Sequence, residues 1–143
     1  VATTFFNASR HNNFSLHINK GLSGEHPEAR CRDQETALHP DCYGAAGLVI
    51  CASLQQYRYP GLAGHQPDIQ QGQAEAVRVQ RVMATLRQAF PTAGTYSNET
   101  DYFLADPGRA QWGPHLERLQ AVKRRVDPAN LFRVHNGIGN LQA

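Results

Sequence analysis

The sequence lacks a strong excess of either charge, and it lacks any long apolar run. Its 143 residues include 14 lysines and arginines against 12 acidic residues, a net charge of +2. So small an excess does not favour a nucleic-acid partner, and the basic triplet at 123–125 is interpreted as a solvated helix end. The longest apolar stretch, 45–52, falls far short of the roughly 18 residues that a membrane-spanning helix needs. We therefore expect neither nucleic acid nor a membrane as a partner.

Cysteine is scarce and odd in number, because the sequence has only Cys31, Cys42 and Cys51. One disulfide with one free thiol, or a bond to a segment outside this chain, would each fit that count. Together with His39 these cysteines do not have the paired spacing of zinc ligands. Structural cysteines and a surface histidine are therefore the preferred interpretation, and we expect no metal site.

Three glycosylation triplets begin at Asn7, Asn13 and Asn98. Together with the cysteines they lean toward an exported protein, without fixing the compartment. The first residues do not show a basic segment followed by an apolar core, so we predict no signal peptide there. Because the chain begins at Val1, we expect a processed chain or one that starts inside a longer protein.

Common catalytic and phosphate-binding motifs are missing as well. Ser23 is followed directly by Gly24, which does not fit the Gly-x-Ser-x-Gly elbow of serine hydrolases. Gly137 and Gly139 lie at the chain end with no helix after them, unlike the glycines of a dinucleotide-binding loop. Residue types and spacings alone therefore name no function.

What the sequence does contain is a mixture of helix-like and strand-like patterns. Residues 68–90 have the clearest helical pattern, because apolar residues recur there at three- and four-residue steps. Phe14, Leu16 and Ile18 alternate with polar residues, which is typical of a half-buried strand. His17 lies on the opposite face of that strand, where it would meet a substrate if the face lined a cavity and solvent if it did not. The mixture predicts an α+β fold.

Turn-forming residues and local propensities divide the rest of the chain. The predicted elements are an extended stretch at 1–20, a helix at 25–38, a helix in preference to a strand at 43–54, a loop at 57–68, a strand at 94–103, a helix starting near Pro114 and stopping at Asp127, and a short strand at 131–134. The first strands have no obvious partners in so short a chain. We expect them to pair with a missing segment.

The tail of the chain resembles the closing segment of berberine-bridge-like flavoproteins. In that family a helix ending Arg-Leu-x-x-Val-Lys leads into Asp-Pro-x-x-Leu-Phe, and residues 118–132 read Arg-Leu-Gln-Ala-Val-Lys-Arg-Arg-Val-Asp-Pro-Ala-Asn-Leu-Phe. Residues 135–139 are similar to the His-x-Gly-Val-Gly ending of many microbial members. Residues 94–103 resemble the family's Tyr-x-Asn-x-x-Asp segment, and residues 14–22 and 59–68 resemble further segments of the microbial subgroup.

One departure from the family pattern precedes the last helix. Members commonly have Trp-Gly-x-Asn-Tyr-x-Arg-Leu there, whereas residues 112–119 read Trp-Gly-Pro-His-Leu-Glu-Arg-Leu. His115 and Leu116 thus replace the Asn-Tyr pair, so the resemblance does not carry over a contact made through that pair.

The resemblance implies a fold and a missing part. Residues 1–93 would be the later part of a substrate-binding domain, built on an antiparallel sheet with covering helices. Residues 94–143 would be the C-terminal segment that returns to the FAD-binding domain and packs on it. The implied cofactor is FAD. The implied partners are the missing N-terminal FAD-binding part, in the same or a separate chain, and a small-molecule substrate.

The resemblance also implies an activity and its residues. The chain would be the C-terminal portion of an FAD-linked oxidase that oxidises a hydroxyl- or amine-bearing small molecule by hydride transfer to flavin, with oxygen as acceptor. Tyr96 is the expected catalytic side chain, Tyr96, Asn98 and Asn136 are the expected cofactor contacts, and His17 is the expected substrate contact. The chain alone is expected to be inactive.

Each of these assignments has an alternative. Tyr96 is equally interpreted as a packed strand tyrosine with a hydrogen-bonded hydroxyl, and Asn98 as a residue that caps a turn. For the whole chain, the alternative is a flavin-free binding or structural module that retains the substrate-domain fold.

Overall fold

A computed structural model of the protein describes residues 1–18, 26–28, 35–53 and 56–140. The elements within these ranges are, in chain order, helix α1 (Ala2–Ser9), strand β1 (Ser15–Ile18), helix α2 (Asp41–Gly44), strand β2 (Gly47–Ile50), helix α3 (Ile69–Ala89), the 3-10 turn η1 (Ser97–Glu99), helix α4 (Pro107–Trp112), the 3-10 turn η2 (Gly113–His115) and helix α5 (Leu116–Val126). Strands β1 and β2 pair in a two-stranded sheet. Helices thus occur together with a small sheet, which confirms the α+β prediction.

The chain divides into two compact units. The first consists of Val1–His17 and Val49–Pro91, and the second consists of Ile18–Leu48 and Thr92–Ala143. The predicted boundary between residues 93 and 94 concerns the arrangement of a longer protein and stays a prediction. Among the helices that are described, none has both the length and the apolar character that crossing a membrane requires.

Helix α3 organises the first unit. The Asp68 side chain caps its N-terminus by accepting a hydrogen bond of 2.9 Å from the backbone N–H of Gln71. The apolar stripe predicted for this helix points inward at Val82 and Leu86, which are 0% and 5% exposed and form a core with Ala8 of α1. The sequence prediction of this helix is confirmed.

Three phenylalanine rings extend this core. The ring centroid of Phe5 lies 5.9 Å from that of Phe14 and 6.1 Å from that of Phe90, within the range of favourable aromatic pairs. The prediction that residues 1–20 are extended is therefore wrong for Ala2–Ser9. Packing of α1 against α3 outweighs the strand propensity of its threonines and phenylalanines.

Strand β1 is confirmed, but its apolar face is not the buried one. Leu16 and Ile18 are exposed, whereas His17 between them is half-buried. Successive side chains of a strand point to opposite faces, so the alternation was predicted correctly and its burial was not. In the described part of the chain the apolar face of β1 stays open to solvent.

The preference for a helix over residues 43–54 is wrong. Helix α2 ends at Gly44, and Gly47–Ile50 form β2 instead. The β-branched side chains at 49 and 50 suit a strand once β1 supplies backbone partners.

The helix predicted at 25–38 lies mostly outside the described residues. Of those described, 27–28 are helical and 35–38 form a turn and bends, so its predicted end is wrong.

The second unit also differs from its predicted strands. The strand predicted at 94–103 is replaced by η1 with turns after it, and residues 131–134 are irregular. The predicted last helix is confirmed, because η2 contains Pro114 and α5 ends just before Asp127. Helix α4 was not predicted, although Asp106 caps it through a 3.1 Å bond from the Arg109 backbone N–H.

Local hydrogen bonds account for the strand that does not form. The Thr100 hydroxyl donates to the Tyr96 carbonyl at 2.9 Å, and the Asp101 carboxylate accepts from the Phe103 backbone N–H at 2.9 Å. Such bonds between side chains and nearby backbone groups compete with a strand ladder. They leave this segment as a series of turns.

Replacing Leu86 by alanine tests the importance of the α3 core. We expect Leu86→Ala to lower the free energy of unfolding by about 2–5 kcal/mol, because the truncation leaves a cavity in a closed core. The matched control is Ile69→Ala on the same helix, which should change stability by less than about 0.5 kcal/mol because Ile69 is exposed. Urea denaturation of the purified protein measures both values, and equal effects would contradict this account of the core.

Candidate functional site

Tyr96 and Asn98 form a hydrogen-bonded pair on η1. The Asn98 side-chain amide donates to the Tyr96 hydroxyl oxygen at 2.8 Å. Because the hydroxyl accepts this bond, its own proton stays available for another acceptor. The Tyr96 side chain is 44% exposed, so the pair faces out of the second unit rather than into its core. The structure therefore brings together two of the residues that the sequence assigned to the site.

The turn that carries this pair is tied to α4. The Thr95 backbone N–H donates to the Ala110 carbonyl at 2.7 Å. The Thr100 hydroxyl, which donates to the Tyr96 carbonyl, accepts a bond of 3.2 Å from the Gln111 side-chain amide. Gln111 is buried, and this bond gives its amide group a partner. The backbone on either side of Tyr96 is thus fixed by α4.

The tail of the chain returns to the same segment. The Asn136 side-chain amide donates to the Asp101 carbonyl at 3.2 Å. The His135 ring nitrogen Nε2 lies 2.7 Å from the Tyr102 carbonyl oxygen, and the two rings stack. Asn136, the third predicted cofactor contact, therefore attaches to the backbone three residues after Asn98. Its contact with a cofactor stays a prediction.

His17 does not belong to this set of contacts. It lies on β1 in the first unit, with Nε2 3.0 Å from the Ser15 hydroxyl oxygen. Its predicted role in binding substrate stays a prediction.

Asp127 shapes the bend between α5 and the tail. Its carboxylate pairs with the Lys123 ammonium and accepts backbone N–H bonds of 2.8 Å from Leu131 and 3.0 Å from Phe132. The bond from Lys123, followed by the one from Leu131, lowers the pKa of Asp127 from 3.8 to about 2. One carboxylate therefore satisfies donors on both sides of the bend.

A second polar contact closes the tail on itself. Asn130 adopts a left-handed backbone with φ of 49°, and its side-chain amide donates to the Gly139 carbonyl at 2.7 Å. A side chain at position 139 would collide with the Asn130 amide oxygen and with Lys123. Glycine at position 139 lets the backbone pass close to Asn130 and Lys123. This gives a structural reason for the last glycine of the segment 135–139.

His39 lies between two glycines of the second unit. A Cβ atom added at Gly94 would lie 2.7 Å from the His39 ring atoms Cγ and Nδ1, and one added at Gly113 would lie 2.7 Å from Nε2. The His39 Nδ1 accepts a bond of 3.2 Å from the Asp41 backbone N–H, which holds the ring in place. The histidine interpreted from sequence as a surface residue is thus packed, with 12% of its side chain exposed.

The cysteines give no further chemistry to this site. Within the described ranges, Cys42 and Cys51 carry free thiols, and no group of three or more His, Cys, Asp or Glu side chains could hold a metal ion. Burial raises the pKa of both thiols, and the neighbouring Asp41 raises that of Cys42 further. Cys31 lies outside the described residues.

Sequence reasoning missed several residues that build the site. Gln111, Tyr102, His135 and Asp127 hold the segment or the tail through contacts that join distant positions. His135, Asp127 and Tyr102 did lie within segments that resemble the family, so the resemblance included them without giving them a role. No single-sequence signal connects Tyr102 to His135, because 33 residues separate them.

The lowered pKa of Asp127 predicts an acid dependence. A carboxyl group whose pKa is lowered on folding stabilises the protein fully above its ordinary value, and that contribution is lost as the pH falls from about 4 to about 2. We expect Asp127→Asn to be less stable than wild type at neutral pH and to lose stability less steeply in that window. Urea unfolding midpoints across the pH range measure this, with Glu117→Gln at an exposed position on α5 as the matched control. Parallel pH profiles for wild type and Asp127→Asn would show the account to be wrong.

A double substitution tests the packing of His39. We expect Gly94→Ala to destabilise the second unit by about 1–3 kcal/mol, because the new methyl group meets a fixed ring. Adding His39→Ala should recover part of that loss, since contacting residues couple in double-mutant cycles. Thermal unfolding of the two single variants and the double variant gives the coupling, and strictly additive effects would contradict the contact.

Comparisons with known proteins concern the same segment. Residues 95–139 match the family model described as berberine and berberine like. The chain is 44% identical over 46 residues to an uncharacterised FAD-linked oxidoreductase of Arthroderma benhamiae, which covers 32% of this chain and 8% of that protein. It is 49% identical over 43 residues to FAD-linked oxidoreductase dpmaF of Metarhizium anisopliae. That aligned stretch covers 28% of this chain and 8% of that protein.

The matched stretch is a small part of each relative, since it spans 8% of their length. No solved structure matches the chain significantly. The matched range includes Tyr96, Asn98 and Asn136. It also includes both His135 and Tyr102, which are in contact. Residues 95–139 are therefore similar to the berberine and berberine-like family.

Proposed function

We propose that this chain is the C-terminal portion of an FAD-dependent oxidoreductase. Its reaction is the oxidation of a hydroxyl- or amine-bearing small molecule by hydride transfer to flavin, with oxygen as the final acceptor. The observation that carries the proposal is the match of residues 95–139 to the berberine and berberine-like family. The names of two relatives that align with part of this chain, both FAD-linked oxidoreductases, support the cofactor.

The residues present fit a flavin site. The polar edge of a flavin ring offers hydrogen-bond acceptors and a donor, and the Tyr96–Asn98 pair offers a free hydroxyl proton and an amide group. Tyr102 and Phe103 expose 62% and 76% of their surface, which gives aromatic faces on the same segment. Tyr96, Asn98 and Asn136 are the residues that would hold the cofactor. Bound flavin supplies the hydride acceptor, which oxygen then regenerates.

Tyr96 has the role of orienting the substrate and assisting removal of its proton. Tyr96 is 44% exposed, and the hydroxyl proton that is not used in the bond with Asn98 can be donated to a substrate oxygen or nitrogen. To act as a base, Tyr96 would first give up its own hydroxyl proton, and the Asn98 amide would then donate to the negatively charged phenolate oxygen, which becomes a neutral hydroxyl when it takes the substrate proton. Asn98 thus keeps the hydroxyl in one orientation, and the bond of Thr95 to Ala110 keeps the backbone beside it fixed.

The partner of this chain in the proposal is an N-terminal FAD-binding part, in the same or a separate chain. Three apolar side chains of the tail support it, because Leu131, Phe132 and Val134 are between 70% and 81% exposed. Clustered apolar surface of this kind is typical of a face that another part of a protein covers. The second supporting fact is that the matched stretch spans only 8% of each relative.

The experiment that tests this proposal uses the full-length protein from its native source. We expect the visible absorption of an oxidised flavin, and hydrogen peroxide formation when hydroxyl- and amine-bearing compounds are screened in air. A protein without flavin absorption that binds small molecules without oxidising them would overturn the proposal in favour of a binding module.

Tyr96→Phe tests the catalytic assignment in that protein. We expect a fall in kcat of about 10²–10⁴-fold with the flavin spectrum retained, because phenylalanine cannot donate or accept the substrate proton. Tyr57→Phe is the matched control, since Tyr57 is 81% exposed on the loop before α3 and should keep wild-type kcat. Equal kcat values for Tyr96→Phe and wild type would refute the catalytic role of Tyr96. The visible absorption spectrum would still decide whether the protein contains flavin.

A further inference from the structure

His135 makes two different contacts with a single residue. Its Nε2 lies 2.7 Å from the Tyr102 carbonyl oxygen. A carbonyl only accepts, so Nε2 carries a proton and donates it. The imidazole ring also stacks on the Tyr102 ring, with centroids 3.7 Å apart and 8° between the planes. One histidine thus fixes both the backbone and the side chain of Tyr102.

Asn136 adds an attachment one residue earlier on the same segment. Its φ of 59° is left-handed, a conformation that asparagine adopts more readily than most residues. This backbone geometry accompanies a bond of 3.2 Å from its side-chain amide to the Asp101 carbonyl. The tail therefore binds two consecutive carbonyls, those of Asp101 and Tyr102.

These two carbonyls close the loop that carries the Tyr96–Asn98 pair. Before the pair, Thr95 donates its backbone N–H to Ala110 of α4. After the pair, the tail holds Tyr102. Both ends of the loop are thus attached to other parts of the second unit, and the chain between them has little freedom to shift.

We propose that His135 is a positioning residue for the reaction. By its hydrogen bond to the Tyr102 carbonyl and its stacking on the Tyr102 ring, it holds the loop that carries Tyr96 and Asn98 in place. This inference rests on the proposed function. His135 acts through Tyr102, and its contribution is the orientation of the Tyr96 hydroxyl. The donated hydrogen bond is the main contact, because it holds the backbone, whereas the ring stack holds a side chain that is largely exposed.

Two substitutions of His135 in the full-length protein separate the contacts. His135→Phe keeps a ring that can stack and removes the donor, whereas His135→Gln keeps an N–H donor and removes the ring. We expect His135→Phe to lower kcat by about ten- to hundredfold with KM little changed, because a small misplacement of a reacting group is costly. His135→Gln should recover most of that loss. His11→Phe, at an exposed histidine in the first unit, is the matched control and should behave as wild type.

Amide hydrogen exchange supplies a readout that does not depend on activity. We expect residues 95–104 to exchange several-fold faster in His135→Phe and at nearly the wild-type rate in His135→Gln. Residues 69–89 of α3 serve as the internal reference and should exchange as in wild type. Faster exchange in both segments would indicate general destabilisation and would overturn the inference.

The outcomes distinguish this inference from the proposed function. Unchanged kcat or unchanged exchange in His135→Phe, in a protein that contains flavin and oxidises a substrate, overturns the inference alone. A wild-type protein without flavin or oxidase activity overturns the proposed function and the catalytic part of this inference. In that case the exchange comparison still decides whether His135 holds the loop.

Discussion

The carboxylate of Asp127 is the interaction on which the geometry of the second unit depends. It accepts bonds from Lys123, one helical turn before it, and from the backbone N–H groups of Leu131 and Phe132 after the bend. The helix ends at this point, since Pro128 follows and disfavours helical geometry at the residue before it. The bonds from Lys123 and the two backbone N–H groups lower the pKa of Asp127 to about 2, so the carboxylate stays charged in acid that would protonate an ordinary aspartate. The direction in which the tail leaves α5 is therefore set by one buried charge with several partners.

That bend is what allows distant parts of the sequence to meet. Once the tail is turned back, His135 and Asn136 reach the carbonyls of Tyr102 and Asp101, which lie more than 30 positions earlier in the chain. On the other side the same loop is attached to α4 through Thr95. A short irregular segment is thereby held at both ends, which is the usual way in which proteins keep functional side chains on loops in a fixed place. The first unit shows a different principle, since its order comes from apolar packing along one face of α3.

The sequence correctly predicted the helices that have long apolar stripes. It missed the short elements whose conformation depends on packing or strand pairing with another part of the chain. Within residues 68–90, Val79, Val82, Leu86 and Phe90 recur at three- and four-residue steps, so the helical period is clear without any tertiary information. Ala2–Ser9 carry strand-favouring side chains, yet they form a helix because Phe5 and Ala8 pack into the core of the first unit. At Gly47–Ile50 the reverse happens, because β1 supplies the hydrogen bonds that a strand needs. Short segments follow their neighbours more than their own propensity.

For the candidate site, the sequence by itself determined that residues 95–139 resemble the berberine and berberine-like family, and it indicated Tyr96, Asn98 and Asn136 as the expected site residues. Motif spacing carries that information because it records which residue types occur at which positions. Only the tertiary structure decided that Asn98 donates to the Tyr96 hydroxyl and that His135 hydrogen-bonds to and stacks on Tyr102. Hydrogen bonds and ring stacking require distances of a few ångströms between atoms. Those distances are set by how the chain folds back, which the order of residues along the chain does not specify locally.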